Sequence, residues 1–388
     1  MLWVVTDDIY TETWRRLLEY SNFDFVRDRI AQKHGASAGS SDQENRSKQA
    51  RQARVCVLQA KEYFDATQQS SLFTSPNHAY YGAVSLASLL LLILGDGTKS
   101  LDYLRSEKKN RHHGLQMSSG ATSTTSTKGT TLLEETRVEI LEFGHFANLY
   151  KVLPDRGSQH VLVSRSGIST TSIGYEVCGG FSVPNFSKLI GTKTSLIDSM
   201  KFLPDLDAEL VLARHAPVRS RSTHEINISR ERQVTHSWTL HNCRTLAERD
   251  ALLDHFRVPP RFSDVMTCIE AERGNAAIVS FSYLETRDSD FHLSWPTSRE
   301  TLNHDSISYA DSPDTHELIE IYLVAYQLSM LSRYYPDLWV SCIDSHSRGA
   351  KLIERAVELI IKKLPLLALS MLGGEDVVIS THREPWKN

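Results

Sequence analysis

The sequence predicts a mainly α protein with a central α+β section between helical N- and C-terminal parts. Three observations carry that expectation. The longest apolar run, Ala83 to Leu94, is framed by Ser75-Pro76 before it and Gly95-Asp96-Gly97 after it. The stretches 47–69 and 316–334 repeat apolar residues at helical spacing. Between them, RVEILEF at 137–143 alternates, and AAIVSFSYL at 276–284 is also strand-like.

The elements follow in order. Thr11 to Glu19 reads as a helix with Trp14, Leu17 and Leu18 on one face, and Phe23 to Ile30 as a second. Gly35 to Arg46 is polar and reads as a loop. Ser47 to Gln69 is helical, with Val55, Leu58, Tyr63 and Ala66 as its apolar stripe. Ser75 can cap the next helix and Pro76 suits its first turn; Gly95 ends it. The apolar run in this helix, about 12 residues, is short of the roughly 20 that cross a bilayer, so it is expected in a protein core. Leu101 to Leu104 makes one turn, and RSEKKNRHH at 105–113 is a charged stretch.

Ser118 to Thr131 is low in complexity and reads as a flexible loop. Beyond it, 137–143, 160–163, 225–240 and 276–284 read as strands. Short helices are expected at 146–152, 186–190, 196–200 and 245–255. His316 to Tyr334 forms a helix with Leu318, Ile321, Tyr322, Ala325, Leu328 and Leu331 on one broad face, closed by Pro336. Gly349 to Leu372 is a last amphipathic helix, bent or broken at Pro365. The expected organisation is a helical part at 1–117, the Ser/Thr-rich loop at 118–131, a mixed α/β section at 132–310, and a helical part at 311–388 packing back on the first.

Composition bounds the function. At 388 residues the chain can bury a sizeable core, and 40% hydrophobic with 23% charged residues is ordinary globular usage. A net charge of −4 argues against a surface that grips nucleic acid all round, while leaving room for a local basic patch. The five cysteines form no CxxC pair, so reduced thiols in a cytoplasmic protein are expected. The acidic start, with Asp7 and Asp8, does not resemble a secretory signal. No GxxxxGK[ST] or HExxH is present, so a phosphate loop and a zinc protease site are unsupported; the GxSxG spacing at 35–39 falls in the polar stretch that reads as a loop and marks no hydrolase elbow, and neither metal nor cofactor is expected.

Three stretches together resemble the YaaC-like family of bacterial proteins. The first runs from Gln59-Ala60-Lys61-Glu62-Tyr63-Phe64 through Pro76 and Tyr80-Tyr81-Gly82-Ala83 to His113-Gly114-Leu115. The second is Phe143-Gly144-His145-Phe146-Ala147-Asn148-Leu149, and the third is Leu328 to Trp339 with a late Leu364-Pro365. Residues 47–115 also resemble the helical HEPN superfamily, through the Tyr-Tyr-x-Ala helix and the His-Gly turn. Many HEPN proteins are metal-independent ribonucleases of toxin or phage-defence systems, and others only bind nucleotides or partners. That resemblance implies an N-terminal HEPN-like bundle and an Arg-x4–6-His site.

Arg105 with His112 or His113 lies nearest the HEPN-like turn, although in that superfamily the motif opens a late helix. Segments from Arg27 to His34, Arg219 to His224 and Arg249 to His255 also fit the spacing. Histidine can move a proton at the RNA 2′-hydroxyl, and arginine can hold the phosphate. The expected binding residues are Tyr80 and Tyr81, which line a nucleotide or RNA surface or else pack in the core. Lys108, Lys109 and Arg111 grip phosphate or form a solvated loop. Arg333, Tyr334, Tyr335 and Trp339 form a rim or else finish a helix. The implied function is binding or cleaving RNA, or binding a nucleotide, in phage defence or a toxin-type response. The alternative is a non-catalytic subunit holding a protein partner or a second copy of itself. A membrane partner is not expected.

Overall fold

The apolar run becomes the helix around which the others pack. A computed structural model describes residues 2–6, 8–34, 40–97, 99–119, 133–153, 161–162, 174–177, 186–215, 219–228, 233–241, 265–270, 276–284, 298–300, 305–308, 317–344, 348–372 and 377–380. The N-terminal helices are α1 (Ile9–Leu17), α2 (Phe23–His34), α3 (Ser40–Gln69), α4 (Ser75–Leu94) and α5 (Leu101–Ser106). The middle section carries α6 (His145–Val152), α7 (Leu196–Lys201) and α8 (Asp207–Leu212), and the C-terminal helices are α9 (Glu317–Tyr334), α10 (Pro336–Ile343) and α11 (Arg348–Leu372). The described residues are mainly helical.

Helix α4 is packed by α3, α9, α11 and α6. Its length would allow a membrane crossing, yet 72% of its apolar window is buried inside the fold. Thr74 sits at its N-cap without a side-chain bond, and Ser75, expected as the cap, is the first helical residue. Gly95 ends the helix in extended backbone, its N–H donating to the Leu91 carbonyl at 3.2 Å.

Helix α3 departs twice from expectation. It starts at Ser40, so 40–46 belong to a helix, where a polar loop was expected. Its polar N-terminal half is held by tertiary hydrogen bonds that no apolar period reports: Asn45 donates to the Gly97 carbonyl and Gln49 to the Lys99 carbonyl, both at 3.0 Å. Its buried face is also not the expected one. Ala50, Ala53, Val57, Ala60 and Phe64 are fully enclosed, while Val55 and Leu58 are 51% and 39% exposed. Small residues let α4 approach closely; a Cβ on Gly82 would stand 2.9 Å from the Phe64 ring.

Helix α9 is buried on every side from Leu318 to Ser329, where one broad face was expected, because α4, α7 and α11 surround it. Pro336 opens α10 directly after α9. Helix α11 runs unbroken through Pro365, which lies buried in it.

Strands β2 (Leu115–Ser119), β3 (Thr136–Ile140) and β6 (Lys193–Ser195) form a small antiparallel sheet, with Leu115 opposite Ile140 and Arg137 opposite Ser195. A larger sheet takes β4 (Val161–Leu162), β5 (Gly174–Val177), β7 (Arg219–Ile228), β8 (Gln233–His241), β9 (Val265–Glu270), β10 (Ala276–Leu284), β11 (Ser298–Glu300) and β12 (Asp305–Ser308), in the order β11-β12-β7-β8-β10-β9 with β5 also on β7 and β4 on β5. The strand expected over 225–240 is therefore most of a β7–β8 hairpin. Strand β1 (Leu2–Val5) pairs in parallel with β13 (Val377–Ser380). Ser118 and Ser119 end β2; the rest of the Ser/Thr-rich stretch and the helix expected at 245–255 lie outside the described residues. One apolar core joins α1–α4, the small sheet, α6–α9 and α11.

Candidate functional site

Two crossing glycines build the turn on which the histidines sit. Gly114 has φ +80 and Gly144 φ +109, backbone that side chains rarely adopt. A Cβ on Gly144 would lie 2.5 Å from Gly114 and 2.7 Å from His112 Nδ1. The two segments are stitched by backbone bonds: His145 N–H donates to the His112 carbonyl at 3.0 Å, Phe146 N–H to His113 at 2.8 Å, and Leu141 N–H to Gly114 at 3.0 Å.

Against this turn lie α4 and α9. Residues 322, 326, 329 and 333 are spaced at helical intervals and share one face of α9. Ser329 and Ser332 both donate to Asn77 Oδ1, at 3.0 and 3.1 Å, fixing α9 along the start of α4. The Tyr80 ring is enclosed by Tyr322, Tyr326 and His113, each edge-on with centroids 5.5–5.7 Å away. Its hydroxyl is hydrogen-bonded to His113 Nδ1 at 2.8 Å. Tyr326 donates to the Leu115 carbonyl at 3.0 Å.

His145 is tied at both nitrogens, to Ser88 Oγ at 3.0 Å and to the Tyr322 hydroxyl at 3.1 Å. Burial, with the nearby His113 and Arg105, pushes its imidazole down to about 4. His113 differs. It is half-buried, and among the described residues its Nε2 has no hydrogen-bond partner. Burial, the Arg333 guanidinium and His112 hold it below the usual histidine range, so it is neutral at pH 7. Burial raises the Tyr80 hydroxyl well above its ordinary range, so it stays protonated.

Arg333 lies at the open side. It donates to the Tyr81 hydroxyl at 3.0 Å and sits over the Tyr81 and Tyr334 rings at 5.6 and 5.1 Å. Tyr81 stacks on Tyr63. The structure thus brings together Tyr80, Tyr81, His113, Arg333 and Tyr334 from the expected set. Their meeting depends on residues far apart in the chain. Tyr322, which helps complete the enclosure, was expected only as a core position in its helix, and Tyr326 was not singled out.

Other expected residues sit elsewhere or act structurally. Arg105 is exposed at the end of α5 and, among the described residues, makes no hydrogen bond to His112 or His113. The Arg111 guanidinium donates to the Arg105 carbonyl at 2.8 Å, closing the charged turn. His112 is exposed, and its Nδ1 accepts from the Gly114 N–H at 3.1 Å. Lys108 and Lys109 are exposed, with Lys109 3.9 Å from Glu107. Trp339, expected on a rim, is 1% exposed and donates to the Leu72 carbonyl at 3.1 Å. Tyr335 is packed against the core and caps α10. Of the other Arg–His spacings, Arg27 pairs with Asp24 and Asp28 on α2, 219–224 lies within β7, and 249–255 is outside the described residues. Among the described residues no three His, Cys, Asp or Glu side chains converge in a way that could hold a metal.

Chemically, the arrangement offers a neutral imidazole with one nitrogen held and the other unoccupied, beside a guanidinium and two tyrosine rings. That set can exchange a proton and attract an anion. A family model described as YaaC-like Protein matches residues 18–372. No curated protein and no solved structure matches the chain.

Proposed function

From the premise that this chain belongs to the YaaC-like protein family, we propose that it binds RNA and cleaves it without a metal, through an N-terminal part of HEPN-like character. The observation that carries this is His113, neutral and anchored by Tyr80 at Nδ1, with the Arg333 charge beside it. In this reading His113 Nδ1–H donates to the Tyr80 hydroxyl oxygen, which leaves Nε2 bare; Nε2 takes the 2′-hydroxyl proton and the 2′-oxygen attacks phosphorus. Arg333 holds the phosphate as its charge builds. The bond to the 5′-oxygen breaks, and that oxygen takes a proton from water, whose hydroxide is neutralised by the proton held on His113. The biological setting we propose is a phage-defence or toxin-type response inside the cell.

The test is incubation of total RNA with the protein in EDTA. Fragments should end in 2′,3′-cyclic phosphate, and His113→Ala should slow their formation about 100-fold or more. Because the histidine must be neutral, the rate should fall on the acid side, at a pH below 6.5. RNA left intact, or cut equally by the variant, removes the enzyme reading.

A second reading is a non-catalytic subunit of a larger complex. What favours it is the exposed Val55 and Leu58 on α3, apolar side chains on a face that no helix covers among the described residues. Co-purification with one protein, lost on Val55→Lys plus Leu58→Lys and retained in His113→Ala, would select it.

A further inference from the structure

One exposed ring lies outside the set just described and directly beside it. Phe143 precedes Gly144, and its carbonyl reaches within 3.1 Å of where a Gly114 Cβ would be. It therefore flanks the His112–His113 turn, on backbone pinned by the glycine crossing. The ring is 37% exposed. Two ammonium groups from different elements converge on it: Lys109 Nζ at 5.1 Å from the centroid and Lys151 Nζ, from α6, at 6.0 Å. Lys151 also sits over Phe186 at 5.1 Å. Lys109 and Lys151 are exposed and flexible enough to swing aside, so a flat ligand can take the ring while they engage its charge. Glu142 and Glu107 lie nearby; Asn110 donates to the Glu107 carboxylate at 2.7 Å and so occupies one of its oxygens.

An exposed aromatic ring covered by two long, displaceable cations suits a nucleobase attached to phosphates. A base paired inside a duplex has no free face to offer. We propose that Phe143, Lys109 and Lys151 form a stacking site for an unpaired base of single-stranded RNA, holding the strand against the His112–His113 turn. This rests on the RNA reading above and names its substrate as single-stranded. The lysines take the flanking phosphates and Phe143 takes the base.

The test uses the full chain and fluorescence anisotropy with a 2′-O-methyl oligouridylate of roughly 20 nucleotides, long enough for a site of this kind. That probe lacks the 2′-hydroxyl that cleavage needs, so binding is read alone. The single strand should bind more tightly than a duplex of equal length. Phe143→Leu should weaken binding about fivefold or more, and Phe143→Trp should retain it. Lys109→Ala plus Lys151→Ala should lower the salt dependence of log K by roughly 1.4. Circular dichroism of each variant confirms that it is folded. Equal affinity for duplex, or unchanged affinity in a folded Phe143→Leu protein, overturns the proposal. The two readings separate cleanly. Binding through Phe143 without cleavage of natural RNA removes the nuclease and leaves the site. Cleavage with Phe143→Leu indifferent does the reverse.

Discussion

His113 and His145 stand in the same aromatic cluster and differ in what their nitrogens meet. His145 spends both on Ser88 and Tyr322, which makes it a core residue. His113 spends one on Tyr80 and keeps the other. His113 and Tyr80 were each legible from their motifs; that the tyrosine holds one nitrogen of the histidine was not. His145 should report itself through stability. Its folded-state value is about 4 against an ordinary 6.5, so below pH 6.5 the unfolded chain binds a proton that the native protein refuses. Stability is thus undiminished by this group above pH 6.5 and falls as pH drops toward 4, by on the order of 3 kcal/mol. Urea melts at about pH 7.5 and about pH 5 should show much of that loss, and His145→Gln should shrink it. An unchanged pH dependence in the variant would assign the loss to other groups.

At the scale of the element, α3 shows how a period can be read on the wrong side. Its larger apolar residues, Val55 and Leu58, suggested the stripe, but the alanine face meets α4 because alanines and Gly82 permit close approach. Val55→Lys and Leu58→Lys should each leave stability within about 0.5 kcal/mol. Phe64→Ala, on the true inner face, should cost about 3–5 kcal/mol by denaturant titration. Equal costs on both faces would contradict the packing. The contrast with α4 is instructive. Its ends were legible because Ser-Pro and Gly-Asp-Gly mark them locally, whereas the start of α3 depends on Asn45 and Gln49 finding carbonyls some fifty residues away.

Across the whole molecule, the C-terminal helices close the core begun by the N-terminal ones. The Tyr20 hydroxyl donates to the Leu372 carbonyl at 3.0 Å, and β1 pairs with β13. A buried ion cluster ties in the middle section: Lys363 of α11 donates to Asp205 Oδ2 and to Glu317 Oε1, both at 2.7 Å, with all three side chains nearly sealed from water. Burial alone would lower the lysine's pKa; Glu317 and Asp205 outweigh it and hold it above its usual value. Lys363→Met keeps the volume and leaves two carboxylates in the interior. It should destabilise the protein by about 3–5 kcal/mol in thermal or chemical melts. A neutral outcome would show that the cluster reaches water.

Local chemistry alone determined the helical majority, the limits of the central helix, the His-Gly turn and the kinship of the chain, because caps, glycines, periodicity and short motifs act over a few residues. Tertiary structure decided the rest. It chose which face of α3 is inside, sealed α9 on every side, put Trp339 in the core, and set Arg333 rather than Arg105 beside His113. Those outcomes depend on which surfaces meet across hundreds of residues, where packing volume and the need to satisfy buried polar groups outweigh local preference.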